Sequence, residues 1–223
     1  MAKIGWSDTE MLKQLQLLQT HCAHPSGLLV HGYHASKTAV WANSTTVGSP
    51  YVWGRSMGWF LMGLVEAYPH VPQTVQTATR SMLEAIIPVL VDLGDNSTGV
   101  WWQLLTFPRR EGNFLESSST ALYIFSILKA SRLQVIEPSW DHISKALRAY
   151  AYVAENFVVR YENGTLGYNG TAAVNGLNST ATYQYYTTRP IGPNSLLGES
   201  AFVLASLEVE RMAFDWWNGE ERK

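Results

Sequence analysis

The stretch SPYVWGRSMGWFLMGLVEAY, residues 49–68, sets Trp53, Arg55 and Trp59 into the first turns of a segment with helical spacing. On a helix, Arg55 and Trp59 stand four apart and share a face that Met62 and Glu66 continue, so the guanidinium is expected to lie against the Trp59 indole. An arginine in a first turn also sits near the positive end of the helix dipole, which costs about a few tenths of a kcal/mol unless an anion answers both charges. A bound carboxylate would answer them. Gly54, Gly58 and Gly63 thin the same helix at roughly 1 kcal/mol each against alanine, which implies close approach by another backbone or a ligand. The competing reading is a packed Trp/Arg helix start whose glycines serve helix contact.

Other chemistry-bearing residues are sparser. His31 ends the apolar run LLVH before Gly32 and Tyr33, where it could carry a proton, meet a sugar hydroxyl, or simply be a hydrogen-bonded loop histidine. His34 follows three residues on, but without neighbouring cysteines or carboxylates the pair has poor metal spacing, and no metal site is expected. Serine catalysis lacks a G-x-S-x-G turn, and LESSSTA reads as a helix cap. Glycoside hydrolysis of the ordinary kind needs two flanking carboxylates, yet residues 23–53 contain no Asp or Glu. Glu66, Glu116 and Glu199 are the nearest candidates, nothing pairs them by spacing, and Glu116 reads best as a favourable charge at a helix N-terminus.

These groups must be held by a chain of 223 residues that is 46% hydrophobic and 15% charged, enough for a single sizeable core. A net charge of −2 with scattered Lys and Arg gives no field for a nucleic-acid backbone, so DNA and RNA are not expected partners. Nine Trp and eleven Tyr, many in loop-like segments, suit sugar rings or protein partners. With Cys22 as the only cysteine, no intramolecular disulfide can form. Five of the ten asparagines, Asn43, Asn96, Asn163, Asn169 and Asn178, stand in N-x-Ser/Thr sequons, where about one or two would arise by chance, and they are candidate glycosylation sites. The start MAKIGWSDTE nevertheless has no signal-peptide shape, and no run is long and apolar enough to suggest a membrane span.

The elements follow from periodicity and punctuation. Ser7 and Glu10 form a capping box for a helix over 8–21, in which Met11, Leu15, Leu18 and Cys22 recur at helical spacing. After a long polar loop a second helix is expected over 54–68. A third opens at Pro72 and ends at Gly94, with a kink at Pro88. Two more are expected, one capped by Ser117–Ser119 and one by Ser139. A Gly/Tyr-rich stretch over 161–194 then leads to a last helix over 195–215. The pattern gives an all-α class, one domain of about six major helices paired as hairpins, with the long loops gathered at one end.

At GLLVHGYHASKTAVWAN, VWGRSMGW, GVWWQLL, NFLESSSTALYIFSILKA and NGLNSTATYQYYTTRPIGPNSLLGESAFVLASLE the chain resembles the unsaturated rhamnogalacturonyl hydrolases of glycoside hydrolase family 105, in their fungal branch, with the unsaturated glucuronyl hydrolases of family 88 as relatives. The blocks occur in order and nearly end to end. The resemblance implies an (α/α)6 toroid of six hairpins, with the pocket at its loop end and no metal or organic cofactor. It implies as substrate an oligosaccharide bearing an unsaturated uronic acid at its non-reducing end. One aspartate would hydrate the enol-ether double bond, and the resulting hemiketal would release the neighbouring sugar. Carried over, His31 matches a histidine assisting at the double bond, Trp53 a platform, Arg55 the uronate partner and Trp59 a second aromatic. Tyr33, Lys37 and Trp41 belong to the rim of the same loop.

Two departures qualify the resemblance. His34 stands where the family reads Asp in H-G-Y-D, and the segment bearing the catalytic aspartate and a second pocket aspartate aligns upstream of Met1. The expectation is therefore a C-terminal portion of the domain, an incomplete toroid with negligible activity of its own, prone to self-association through uncovered helix faces, from a secreted parent. Three other readings stay open at this point: a non-catalytic carbohydrate-binding remnant, an unsaturated glucuronyl hydrolase acting on glycosaminoglycan fragments, and a purely structural hairpin module.

Overall fold

The computed structural model describes residues 7–220, with side chains described as far as Phe214. Ser7 caps α1 (Asp8–His21), its hydroxyl accepting from the Glu10 amide at 3.3 Å. α2 (Gly54–Ala67), α3 (Gln73–Asp92), α4 (Ser117–Arg132), α5 (Trp140–Asn156), the five-residue α6 (Tyr183–Thr187) and α7 (Leu196–Glu220) follow. The expected boundaries hold to within a few residues. Pro88 lies inside α3, which runs unbroken through it. A single antiparallel pair, β1 (Val158–Arg160) and β2 (Leu166–Tyr168), decorates the last long loop.

Two caps differ from expectation. The cap of α4 is Glu116, whose carboxylate accepts from the Ser119 amide at 2.7 Å, so Ser117–Ser119 form the first turn rather than the cap. A carboxylate reaches the same orphan amides and adds a full charge at the positive helix end. Ser139 occupies the cap position of α5 but makes no side-chain capping bond.

The helices form two rows. α2, α4 and α7 pack side by side with α4 in the middle, and α1, α3 and α5 lie behind them. All of α4 except Lys129 and Arg132 is buried, and those two reach sideways, Lys129 to Glu66 of α2 at 2.5 Å and Arg132 to Glu208 of α7. Each back-row helix leads by a long loop, 22–53, 93–116 or 157–195, into the N-terminus of a front-row helix, so the three loops share one end. Isolated bridges Tyr33↔Gly48, Trp53↔Leu104 and Ala172↔Ile191 give those loops local order. Short connections return at the other end. The result is three consecutive helical hairpins over one core.

Outer faces of the front row remain uncovered. On α2, Trp59 is 41% exposed, and a side chain built at Gly63 would meet nothing within 4 Å. On α7, Leu196, Val203 and Leu207 are exposed along one stripe of the helix. Gly58 faces the other way, where a Cβ would come within 2.8 Å of Leu122 on α4. The two glycines therefore predict opposite outcomes. Gly58→Ala should destabilise by about 1–3 kcal/mol through overpacking, and Gly63→Ala should be neutral or stabilising by up to ~1 kcal/mol, as read from urea denaturation midpoints.

Candidate functional site

The start of α2 is held by an ion pair. Arg55 and Glu116 are 1% and 0% exposed, and Arg55 Nη2 donates to Glu116 Oε1 at 2.9 Å. Arg55 Nε donates to Ser118 Oγ at 2.7 Å, and Nη2 also donates to the Ala172 carbonyl; Nη1 has no partner among the described residues. Glu116 accepts in turn from Ser118 Oγ, from the amide and hydroxyl of Ser119, and from the Ala172 amide at 3.0 Å. A buried charge pair tolerates burial only when its remaining donors and acceptors are met, and here nearly all are.

This corrects the expectation for Arg55. The anion that answers it is Glu116 rather than a ligand, and the guanidinium lies 5.4 Å from the centroid of Trp53, not against Trp59. Trp53 departs from the platform expectation too. It is 5% exposed, its Nε1 donates to Gln103 Oε1 at 3.2 Å, and His31 packs on it with centroids 4.5 Å apart. At 5% exposure the indole presents little of its face to the outside. Gly54 and Gly58 serve packing, against Ser119 and Leu122 respectively.

What remains accessible lies along the outer face of α2. His31 lines a cleft of about 160 Å³ with Ser56, Met57, Phe60, Leu18, Cys22 and their neighbours. Trp59 lines an adjoining apolar groove of about 440 Å³, which shares Phe60 and reaches Leu15 of α1. Among the described residues no carboxylate lines either space. Burial pushes the His31 imidazole down to about 4, so it is neutral near pH 7, and its Nδ1 lies 2.7 Å from the Tyr186 hydroxyl. Burial likewise pushes the Cys22 thiol up to about 11, which leaves it unreactive.

The rim residues divide. Trp41 Nε1 donates to the Leu177 carbonyl at 2.7 Å, which joins the first loop to the third. Tyr33 stacks on His21 at 4.7 Å, and Lys37, in the left-handed region, turns back to the Ser44 carbonyl at 2.7 Å. Neither comes to the His31–Trp53 cluster. Glu66 is held by Lys129, and Glu199 stands in the first turn of α7. Sequence reasoning missed Tyr186 and Gln103, and with them Tyr51, Phe107 and Tyr183, which complete the aromatic cluster around Trp53. The tyrosines of 183–186 have no apolar period to mark one of them, so composition was the only signal. Among the described residues no group of three or more potential metal ligands forms, and no helix is long and apolar enough to cross a membrane.

Hairpins in two rows, with all long loops at one end around an aromatic cluster, define the architecture of the six-hairpin glycosidases. Residues 8–213 match the sequence model of Glycosyl Hydrolase Family 88, and the chain belongs to that family. It is 30% identical over 212 residues to Protein Atu3128 of Agrobacterium fabrum, an alignment covering 89% of each chain. Among solved structures, a glycoside hydrolase from family 105 of C. acetobutylicum superposes with a TM-score of 0.85 at 30% identity, covering 92% of this chain and 58% of that one. A possible family 105 member from Salmonella enterica gives 0.72 at 21% identity, covering 90% and 49%, a likeness of fold. The chain thus spans about half the length of the solved structures it matches.

Removing Arg55 should expose its role. Arg55→Ala strands the Glu116 carboxylate in the core and should cost about 3–5 kcal/mol of stability with no ligand present, measured by chemical denaturation. Unchanged stability would return Arg55 to a ligand-binding role.

Proposed function

We propose that this chain supplies the loop-end wall of an unsaturated uronyl hydrolase acting in rhamnogalacturonan breakdown, from the fungal branch of family 105. The sugar would lie along the outer face of α2, between His31 and Trp59. The observation that carries the reading is the family match across residues 8–213; in support, His31 lines the cleft and Trp59 the groove beside it, the two spaces meeting at Leu18 and Phe60. Trp59 would give the ring its apolar contact, and His31 a polar one. The reaction as the resemblance implies it adds a proton to one alkene carbon and water to the other, so the hemiketal opens and releases the neighbouring sugar. A proton donor contributes roughly 10²- to 10⁴-fold to such a step. With no carboxylate lining either space, the isolated chain should bind without measurable turnover.

The exposed edges support a second part of the reading, self-association. The outer face of α2 presents Trp59, the open position at Gly63, and Ala67 at intervals of four, and α7 presents Val203 and Leu207 at the same interval. A second copy is the occupant that fits, because two sets of three hairpins would make a ring of six, and this chain covers 49–58% of the solved structures. The five sequon asparagines are all exposed and lie in the three long loops, which supports a secreted parent.

Calorimetry with an unsaturated rhamnogalacturonan disaccharide, with loss of ultraviolet absorbance from the enol ether followed in parallel, tests this. Binding without turnover is expected, weakened by about 1 kcal/mol in Trp59→Ala, while sedimentation of the same samples should show a dimer. Tighter binding of an unsaturated glycosaminoglycan disaccharide would favour the glucuronyl hydrolases instead, and no binding of either by a folded dimer would refute the reading.

A further inference from the structure

His31 is tied into the fold by more than its loop. Its amide donates to the Tyr51 carbonyl at 3.0 Å, its ring packs on Trp53, and its Nδ1 faces the hydroxyl of Tyr186, which is fully buried on α6. The Tyr186 carbonyl accepts from Gln103 Nε2 at 3.2 Å, and Gln103 Oε1 accepts from Trp53 Nε1. The histidine, tyrosine, glutamine and tryptophan thus form one closed circuit drawn from all three long loops.

The direction of the His31–Tyr186 bond follows from counting hydrogens. A phenol carries one, and among the described residues the Tyr186 hydroxyl has no acceptor other than His31 Nδ1. Were Nδ1 to carry the proton and donate, the phenolic hydrogen would be buried without a partner, which costs about 1–3 kcal/mol. The satisfied arrangement has O–H donating to Nδ1. A neutral imidazole then bears its proton on Nε2. Among the described residues Nε2 has no hydrogen-bond partner and is not a buried orphan, and His31 lines the cleft beside Ser56 and Phe60. Trp53 and Tyr186 pack against the ring, and among the described residues no Asp, Glu, Lys or Arg lines the cleft; Arg55 lies by Trp53, paired to Glu116.

We propose that Tyr186 is a positioning residue that locks His31 as a neutral Nε2–H donor, so that His31 offers a sugar oxygen a fixed hydrogen bond instead of moving a proton. This rests on the functional reading above for the identity of the ligand, though the lock itself is a property of the free protein. It assigns the acid–base work of the reaction to a group other than His31. Burial already favours the neutral ring, and a donor on Nδ1 adds to that preference.

Nitrogen-15 histidine spectra of the full chain, with His31→Gln to assign the resonance, test the lock. The expected wild-type pattern is a single tautomer with Nδ1 unprotonated and Nε2 protonated. Tyr186→Phe, which keeps the ring and the burial and removes the hydroxyl, should raise the His31 midpoint above its wild-type value of about 4 and mix the tautomers. A lower midpoint in Tyr186→Phe would mean that the tyrosine accepts, and an unchanged one that it only packs; either overturns the proposal. Should that variant not fold, an Nδ1-protonated wild-type ring is enough to overturn it, and the Nε2-protonated ring to support it. The unsaturated rhamnogalacturonan disaccharide should then shift the Nε2 resonance. A correct tautomer that the disaccharide leaves unmoved would refute the functional reading and leave the lock standing.

Discussion

The buried pair between Arg55 and Glu116 is the constraint from which the loop end of the molecule takes its shape. One side chain opens α2, the other caps α4, and Ala172, which bonds to both, lies in the loop that leads to α7. Three hairpins that could each slide along their neighbours are therefore fixed at the same height. Desolvating two full charges is costly, and the cost is offset only if hydroxyls and amides converge on the same point. Ser118 and Ser119, directly after the first residue of α4, provide most of that convergence. At the opposite end Lys129 and Arg132 bind α4 to α2 and α7, so the middle helix is fastened at both ends and packed between.

A fastened helix start has a consequence for the side chains beside it. Trp53 immediately precedes Gly54, and its position is fixed by the pair on one side and by Gln103 on the other. His31 rests on Trp53, so it is held against the same fixed start of α2. Of the residues that match the family's motif, Arg55 and Trp53 are buried in the packing, while His31 and Trp59 line the cleft and the groove beside α2. Hydrogen bonds preorganised in this way lose little freedom when a ligand arrives.

Much of the fold was legible because it depends on local rules. The Ser7 capping box, the limits of α2, the end of α3 near Gly94 and the placing of the long loops at one end all follow from periodicity and punctuation. The partner of Arg55 was not legible, because Glu116 is 61 residues away and a helical stripe shows which residues share a face without showing which neighbour that face meets. The same gap explains the cap of α4. Three serines are strong capping types, and only the packed structure shows that two of them, Ser118 and Ser119, bond to Glu116 while Glu116 takes the cap itself. The dipole argument nonetheless identified the right requirement, an anion at the start of α2, and missed only that the chain meets it internally.

The two edges of the front row show where folding energetics and function meet. Gly58 and Gly63 lie on one helix, yet the first is filled by Leu122 and the second opens on empty space. Glycine in a helix interior costs stability, and the cost is offset only where another group comes close enough to use the room. Gly58 has such a neighbour within the chain. Gly63 belongs to the same surface as Trp59 and the groove down to Leu15, so its missing side chain is room left for something outside the three hairpins described. The face that carries Trp59 is thus an uncovered face of the front row, with Gly63 open beside it.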